Sequence, residues 1–147
     1  MRLATERIQA ARESIDHCGH NVVLVAQTDG LLVDPTSLTS TTDRLVAFAE
    51  AGADCLSAPG VKNREDIASM VRAVAPKPLS VLMMELDLTV GELADLGVRR
   101  ISVGGGLAQI AWDALLSAAR DMQASSFDGL NCNTSGTELN ERFGKFL

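Results

Sequence analysis

An aliphatic run that ends in polar side chains is the first sign of chemistry in this sequence. The run Val22–Ala26 is followed directly by an amide, a hydroxyl and a carboxylate, from Gln27, Thr28 and Asp29. Side chains of these types exchange hydrogen bonds with small polar ligands. A turn explains them equally well, because Thr and Asp often cap turns through nearby backbone groups. Residue types and spacing alone leave both interpretations open.

Three further residues stand at comparable points of later apolar runs. Ser57 lies near the end of the run Asp54–Ala58, and Ser80 lies within the run Leu79–Met84. Gly104 opens a stretch of glycines after another apolar run, where a tight entry into a helix is the plain structural explanation. If the runs are parallel strands, ligands are expected at the carboxyl ends where these residues lie.

The apolar runs alternate with segments of helical periodicity. The predicted strands fall within 22–26, 54–58, 79–84 and 98–104, and the predicted helices fall within 4–15, 40–52, 62–76, 88–97 and 107–122. Strands that lack polar alternation and are each separated by one helix are typical of a parallel sheet covered on both faces. The predicted class is therefore α/β.

Local signals predict where several helices begin and end. Ser40 and Asp43 have the spacing of a helix start, and Thr89 and Glu92 have the spacing of a capping box. Gly19 stands between the first helix and the first strand, where a glycine C-cap is expected.

The repeated βα unit is typical of a (β/α)8 barrel, which needs about 250 residues and eight strands. This chain has 147 residues and four visible strands. We therefore predict a partial TIM-type barrel of about four parallel βα units at 1–124. The stretch 125–147 is predicted to be a polar linker and a short amphipathic C-terminal helix, with Leu139, Phe143 and Phe146 on one face.

Composition and charge exclude several classes of function. The net charge is −6 and the basic residues are scattered, so a nucleic-acid partner is not expected. No run approaches the ~18 apolar residues of a membrane span, and the first residues carry charges throughout, so a cytoplasmic protein is expected. Cys18, Cys55 and Cys132 are far apart, which favours reduced thiols over disulfides or a cysteine-bound metal.

Taken together, these segments resemble the C-terminal half of the isocitrate lyase/phosphoenolpyruvate mutase superfamily. The resemblance runs from about Glu6 to Met122 and is most specific at Ala26–Asp29, Ala51–Gly60 and Leu96–Gly104. It implies a magnesium-dependent barrel that acts on 2-oxo or 2-hydroxy dicarboxylates and related phosphonates through a pyruvate enolate. The candidate substrate-binding residues are Gln27, Thr28, Asp29, Ser57, Ser80 and Gly104.

The departures from the family pattern bear directly on function. Gln27 stands where the family usually has an Arg that holds a carboxylate or phosphonate, and Ser80 stands where it usually has Asn. A Gln amide is a neutral donor, whereas an Arg offers two charge-assisted hydrogen bonds. In the family, the acidic metal-binding strands and the catalytic loop precede the position of Glu6. No metal site, cofactor or catalytic residue is therefore assigned to this chain, and magnesium belongs to full-length relatives.

Other candidate groups have plainer explanations. His17, Cys18 and His20 form an H-C-G-H stretch, yet three ligands within four residues do not readily surround one ion. A helix-to-strand turn is the preferred interpretation. Glu85 and Asp87 precede the fourth helix and are candidate acid/base groups, although carboxylates near a helix start are usually caps or solvated charges.

Three functional hypotheses follow. The preferred one is a truncated or degenerate superfamily member that is inactive alone. The second is half of a split lyase that a partner completes, and the third is a non-catalytic anion-binding or scaffold subunit that uses the glycine-rich turn at 102–108. In each case the expected ligand is a small carboxylate or phosphonate. A homo-oligomer is expected, because half a barrel leaves two edge strands.

Overall fold

The computed structural model describes residues 1–83, 87–131 and 133–144. Glu85, Cys132 and Phe146, which the sequence analysis singled out, lie outside the described residues. The chain forms two compact units, Met1–Gly104 and Gly105–Leu147. The predicted division near residue 124 stays a prediction.

The first unit is built on one parallel sheet. In chain order it contains α1 (Arg2–Cys18), β1 (Val25–Gln27), α2 (Gly30–Val33), α3 (Leu38–Glu50), β2 (Cys55–Ser57), α4 (Arg64–Val74), β3 (Leu79–Leu82), α5 (Val90–Asp95) and β4 (Arg100–Ser102). All neighbouring strands are parallel and their order is β1-β2-β3-β4. The predicted α/β class with four parallel strands is confirmed, and β1 and β4 are the edges of the sheet.

One face of this sheet forms the core with the helices. Ala26, Leu56, Leu79 and Val81 have at most 1% of their surface exposed, and they belong to one apolar cluster. We call these four residues the helix-packed face. The helices α3, α4 and α5 contribute Leu45, Phe48, Ile67, Met70 and Leu93 to the same cluster. Burying one side chain of this size stabilises the fold by about 1.5–3 kcal/mol, so this face accounts for much of the stability.

Helix α1 contacts the amino-terminal end of the strands through polar side chains. The Arg12 guanidinium donates to the Asp54 carboxylate at 2.9 Å and pairs with Asp16 at 2.7 Å. The same Asp54 carboxylate accepts the Leu24 N–H at 2.8 Å. The predicted helix and its C-cap are confirmed, since Gly19 ends α1 with a φ of 70°.

The first strand is shorter than predicted. Strand β1 covers Val25–Gln27, whereas Val22 and Val23 precede it and are exposed. The physical reason is that pairing needs a neighbour, and β2 offers β1 only Cys55–Ser57. A run of β-branched residues therefore does not extend a strand beyond its partner.

One of the two predicted helix starts is wrong. Helix α3 begins at Leu38 after Ser37, so Ser40 lies inside the helix and its hydroxyl donates to the Ser37 carbonyl at 3.1 Å. A turn in which the Ser37 N–H donates to the Asp34 carbonyl at 3.0 Å starts this helix earlier. The capping box of Thr89 at α5 is confirmed in both of its hydrogen bonds.

The second unit is entirely helical among its described residues. It contains α6 (Gly106–Gln123), a short 3-10 helix (Asp128–Leu130) and α7 (Gly136–Gly144). None of their residues is buried, and Leu107, Trp112 and Leu115 on α6 are 57–72% exposed. The predicted helices exist. Within the described part of the chain, no helix has both the length and the apolarity to cross a bilayer.

Candidate functional site

The register of the sheet aligns four polar residues. Gln27 pairs with Ser57, Ser57 pairs with Ser80, and Ser80 pairs with Arg100. Side chains alternate between the two faces along a strand, so paired residues of neighbouring parallel strands lie on the same face. These four residues, which we call the polar row, cross the whole sheet opposite the helix-packed face.

The centre of the polar row is buried and its ends are exposed. Ser57 and Ser80 are 3% and 1% exposed, whereas Gln27 and Arg100 are open to solvent. Arg100 donates from Nη1 to the Ser80 hydroxyl oxygen at 2.8 Å. The row therefore exposes an amide and a guanidinium at its ends, with two buried hydroxyls between them, and donors of these types suit an oxygen-rich anion.

Sequence reasoning missed Arg100. The sequence did contain a signal for which side of the strand Arg100 lies on. Arg100 stands two residues before Ser102 on one short strand, so the two side chains lie on the same face of the sheet. The adjacent Arg99 has the same side chain but a different environment. Its guanidinium donates to the carbonyls of Ala94 and Val98 at 3.3 and 3.2 Å.

Asp29 occupies the edge of the row beside Gln27. The Gln27 amide nitrogen donates to the Asp29 carboxylate at 2.8 Å. Asp29 precedes α2 without capping it through its side chain. The amide is thus held in place, and a negative charge lies at the β1 end of the row.

Thr28 and Gly104 are not members of the row. Thr28 is buried, its N–H donates to the Ser57 carbonyl at 3.0 Å, and alternation directs its side chain to the face opposite Gln27. Gly104 ends the first unit with a φ of 52°, and a Cβ there would come within 3.3 Å of Leu82. The structure therefore brings Gln27, Ser57 and Ser80 together, places Thr28 on the other face of the sheet, and places Gly104 beside Leu82 beyond the end of β4. Their roles in binding stay predictions.

The charge of Arg100 on β4 acts as far as β2, which lies two strands away. Cys55 lies two residues before Ser57 and so shares its face. Burial raises the pKa of the Cys55 thiol, and the positive charge of Arg100 offsets part of that rise. The hydrogen bond to Ser80 is the contact that holds the guanidinium against the sheet.

The polar row does not fit a magnesium ion. Magnesium is held in proteins by carboxylate oxygens and water, whereas this row contributes one amide, two hydroxyls and a cation. Over residues 1–83, 87–131 and 133–144, no three His, Cys, Asp or Glu side chains are grouped so that they could hold a metal.

The remaining candidate groups have local partners or stand in solvent. His17 Nδ1 is 2.6 Å from the Glu13 carbonyl oxygen, and the Cys18 thiol donates to the Ile15 carbonyl at 3.0 Å. Both side chains therefore contact backbone carbonyl groups of α1. Asp87 is exposed.

Comparison with known proteins identifies the family. The family model for phosphoenolpyruvate phosphomutase matches residues 1–123. The chain belongs to this family. A solved Burkholderia cenocepacia J2315 protein, provisionally assigned as a lyase or mutase, is 38% identical with a TM-score of 0.89, covering 95% of this chain and 51% of that one. The superfamily member 2,3-dimethylmalate lyase is 25% identical with a TM-score of 0.82, over 97% of this chain and 51% of that one.

Two further relatives extend the comparison. Oxaloacetate acetylhydrolase in complex with oxalate is 25% identical with a TM-score of 0.75, over 97% of this chain and 48% of that one. An uncharacterized Mycobacterium tuberculosis protein is 32% identical over 91 residues, which are 62% of this chain and 33% of that protein. The chain therefore spans about half the length of these solved structures and 33% of the curated relative. The predicted superfamily and the partial TIM-type barrel are both confirmed.

Proposed function

We propose that this member of the phosphoenolpyruvate phosphomutase family binds a small carboxylate or phosphonate at the polar row and does not turn it over alone. The observation that carries the proposal is the alignment of Gln27, Ser57, Ser80 and Arg100 on one face. Their donors match the oxygens of such an acid. The oxalate complex of oxaloacetate acetylhydrolase supports the choice of ligand class.

The absence of turnover follows from what the row contributes. The chemistry implied by the family develops negative charge on an enolate oxygen, which preorganised cations or a metal must stabilise. Here the donor set does not fit magnesium, and Gln27 is a neutral donor held by Asp29. Magnesium is therefore proposed for full-length relatives and not for this segment.

Titration calorimetry with oxalate tests the binding proposal. We expect binding that Ser57→Ala weakens about 2- to 12-fold, since one hydrogen bond contributes about 0.5–1.5 kcal/mol. Ser40→Ala is the matched control, because the Ser40 hydroxyl donates to the Ser37 carbonyl at the start of α3 and does not belong to the row. A chain that binds neither oxalate nor a small phosphonate contradicts the proposal.

A pyruvate-release assay with magnesium tests the second part. We expect no turnover of oxaloacetate by the chain alone. Turnover that survives repurification and disappears in the Ser57→Ala variant contradicts it, because contamination is insensitive to the variant.

A second candidate is half of a split lyase. The four-stranded sheet ends in the unpaired edges β1 and β4, and the chain spans about half of each solved relative. Activity that appears only when a second polypeptide is added supports this candidate over the first.

We also propose that the chain forms a homo-oligomer. Edge strands with free backbone groups tend to associate, and α6 presents Leu107, Trp112 and Leu115 to solvent. Light scattering is expected to give more than the monomer mass, and Leu115→Glu is expected to lower it. Gln109→Glu adds the same charge to α6 as a control. A compact monomer at high concentration contradicts the proposal.

A further inference from the structure

Among the described residues, the Arg100 side chain has one hydrogen-bond partner, and that partner is the neutral Ser80 hydroxyl. None of the ion pairs formed between described residues involves Arg100, whereas Arg12, Arg64 and Arg142 each pair with a carboxylate. Its described hydrogen bond to Ser80 uses one of five guanidinium donors. Four donors remain on an exposed side chain, and they suit the two oxygens of a carboxylate or phosphonate.

The hydrogen bond to Ser80 fixes the position of the Arg100 guanidinium. The Ser80 side chain is almost completely buried, so its hydroxyl is a firm acceptor for Nη1. The guanidinium is therefore held beside β3, on the face of the polar row.

The β1 end of the row, at Gln27, favours a neutral group over an anionic one. The Gln27 amide is neutral, and the Asp29 carboxylate bonded to it repels a second anionic group. Strands lie about 4.8 Å apart, so three spacings separate the Gln27 and Arg100 backbones by about 14 Å, which both side chains shorten. The space between the two side chains suits a small acid with an anionic group at one end and a neutral polar group at the other.

We propose that the polar row selects a small acid with one anionic head, bound by Arg100 and positioned by Ser80, and with a neutral hydroxyl, oxo or amide group toward Gln27. This inference rests on the proposed function and deepens it. A dicarboxylate matches the row less well, because its second charge meets Gln27 and Asp29 rather than a cation.

Malonate and malonamate provide a matched pair of probes, since they differ by one carboxylate replaced by an amide. Calorimetry at pH 7.5 with the wild-type chain is expected to show malonamate bound as tightly as malonate or more tightly. Tighter binding of malonate overturns the inference. This comparison needs no variant and so does not depend on the folding of one.

Variants then locate the anionic head. Arg100→Gln is expected to weaken malonamate binding about tenfold or more, with Arg100→Lys between it and the wild type. Arg99→Gln removes the same charge from a side chain that bonds elsewhere, and is expected to change affinity less than twofold. Equal effects of Arg99→Gln and Arg100→Gln overturn the inference.

The outcomes separate this inference from the proposed function. If the wild type binds oxalate but Arg100→Gln and Arg100→Lys bind it equally well, the polar row remains a site and the role of Arg100 is wrong. If the wild type binds no oxalate, malonate, malonamate or small phosphonate, the proposed function fails and the inference fails with it.

Discussion

The two faces of the sheet come from the same short strands but differ in what covers them. On the helix-packed face, Leu56 and Leu79 are shielded by helices of this chain. On the polar row, the ends at Gln27 and Arg100 are open to solvent. The difference teaches that one face supplies the stability of this fold while the other is available for binding.

The largest expected effect removes part of the helix-packed face. Leu56→Ala is expected to lower the free energy of unfolding by about 2–5 kcal/mol, because Leu56 is fully buried and a cavity remains. Urea denaturation measures it. Leu107→Ala, at a position 72% exposed, is the control and is expected to change stability by less than about 0.5 kcal/mol. A loss below about 1 kcal/mol at Leu56 contradicts the assignment of this face.

A smaller effect, on ligand affinity, is expected when a positive charge is added to the polar row. Gln27→Arg is expected to tighten oxalate binding about 5- to 30-fold with little change in stability, because a charged donor contributes about 1–2 kcal/mol more than a neutral one. The Asp29 carboxylate, which Gln27 already contacts, limits the gain by pairing with the new guanidinium.

Calorimetry on both proteins measures this gain. Gln109→Arg on α6 adds the same charge outside the row and is expected to leave affinity unchanged. Unchanged affinity in Gln27→Arg shows that Gln27 does not contact the ligand. No turnover is expected in either variant, and a pyruvate-release assay checks this.

The smallest effect concerns the start of α5, which places Leu93 in the core beside the helix-packed face. Hydrogen bonds from the Thr89 backbone and hydroxyl, and then from Arg64, lower the pKa of Glu92 from 4.5 to about 2. Because the folded-state pKa is lowered, the stabilisation is present above pH 4.5 and is lost as the pH falls to about 2.

Thermal unfolding between pH 6 and pH 2 measures this contribution. Glu92→Gln is expected to unfold at a lower temperature than the wild type at pH 6, and the difference is expected to disappear near pH 2. Glu141→Gln on α7 is the control for removing a surface carboxylate. A difference that is constant across the range means that ionisation of Glu92 does not stabilise α5.

Much of the first unit was predictable because its signals are local. The capping box at Thr89 and the C-cap at Gly19 depend on residues within one turn. The apolar runs likewise predicted four parallel strands, because continuous aliphatic segments between helices have few alternatives, although β1 and β4 at the edges are less buried than expected. Ser57 and Ser80 were found for the same reason, since both lie on those runs.

Only the tertiary structure decided how those strands align. A shift of register by one residue moves every side chain to the other face, and pairing between β3 and β4 is a contact between residues 20 apart in the chain. That register places Arg100 beside Ser80 and shortens β1 to the length of its partner. The sequence by itself determined the elements and the polar residues on them. The row and its single charged end depend on long-range pairing, which local propensities do not encode.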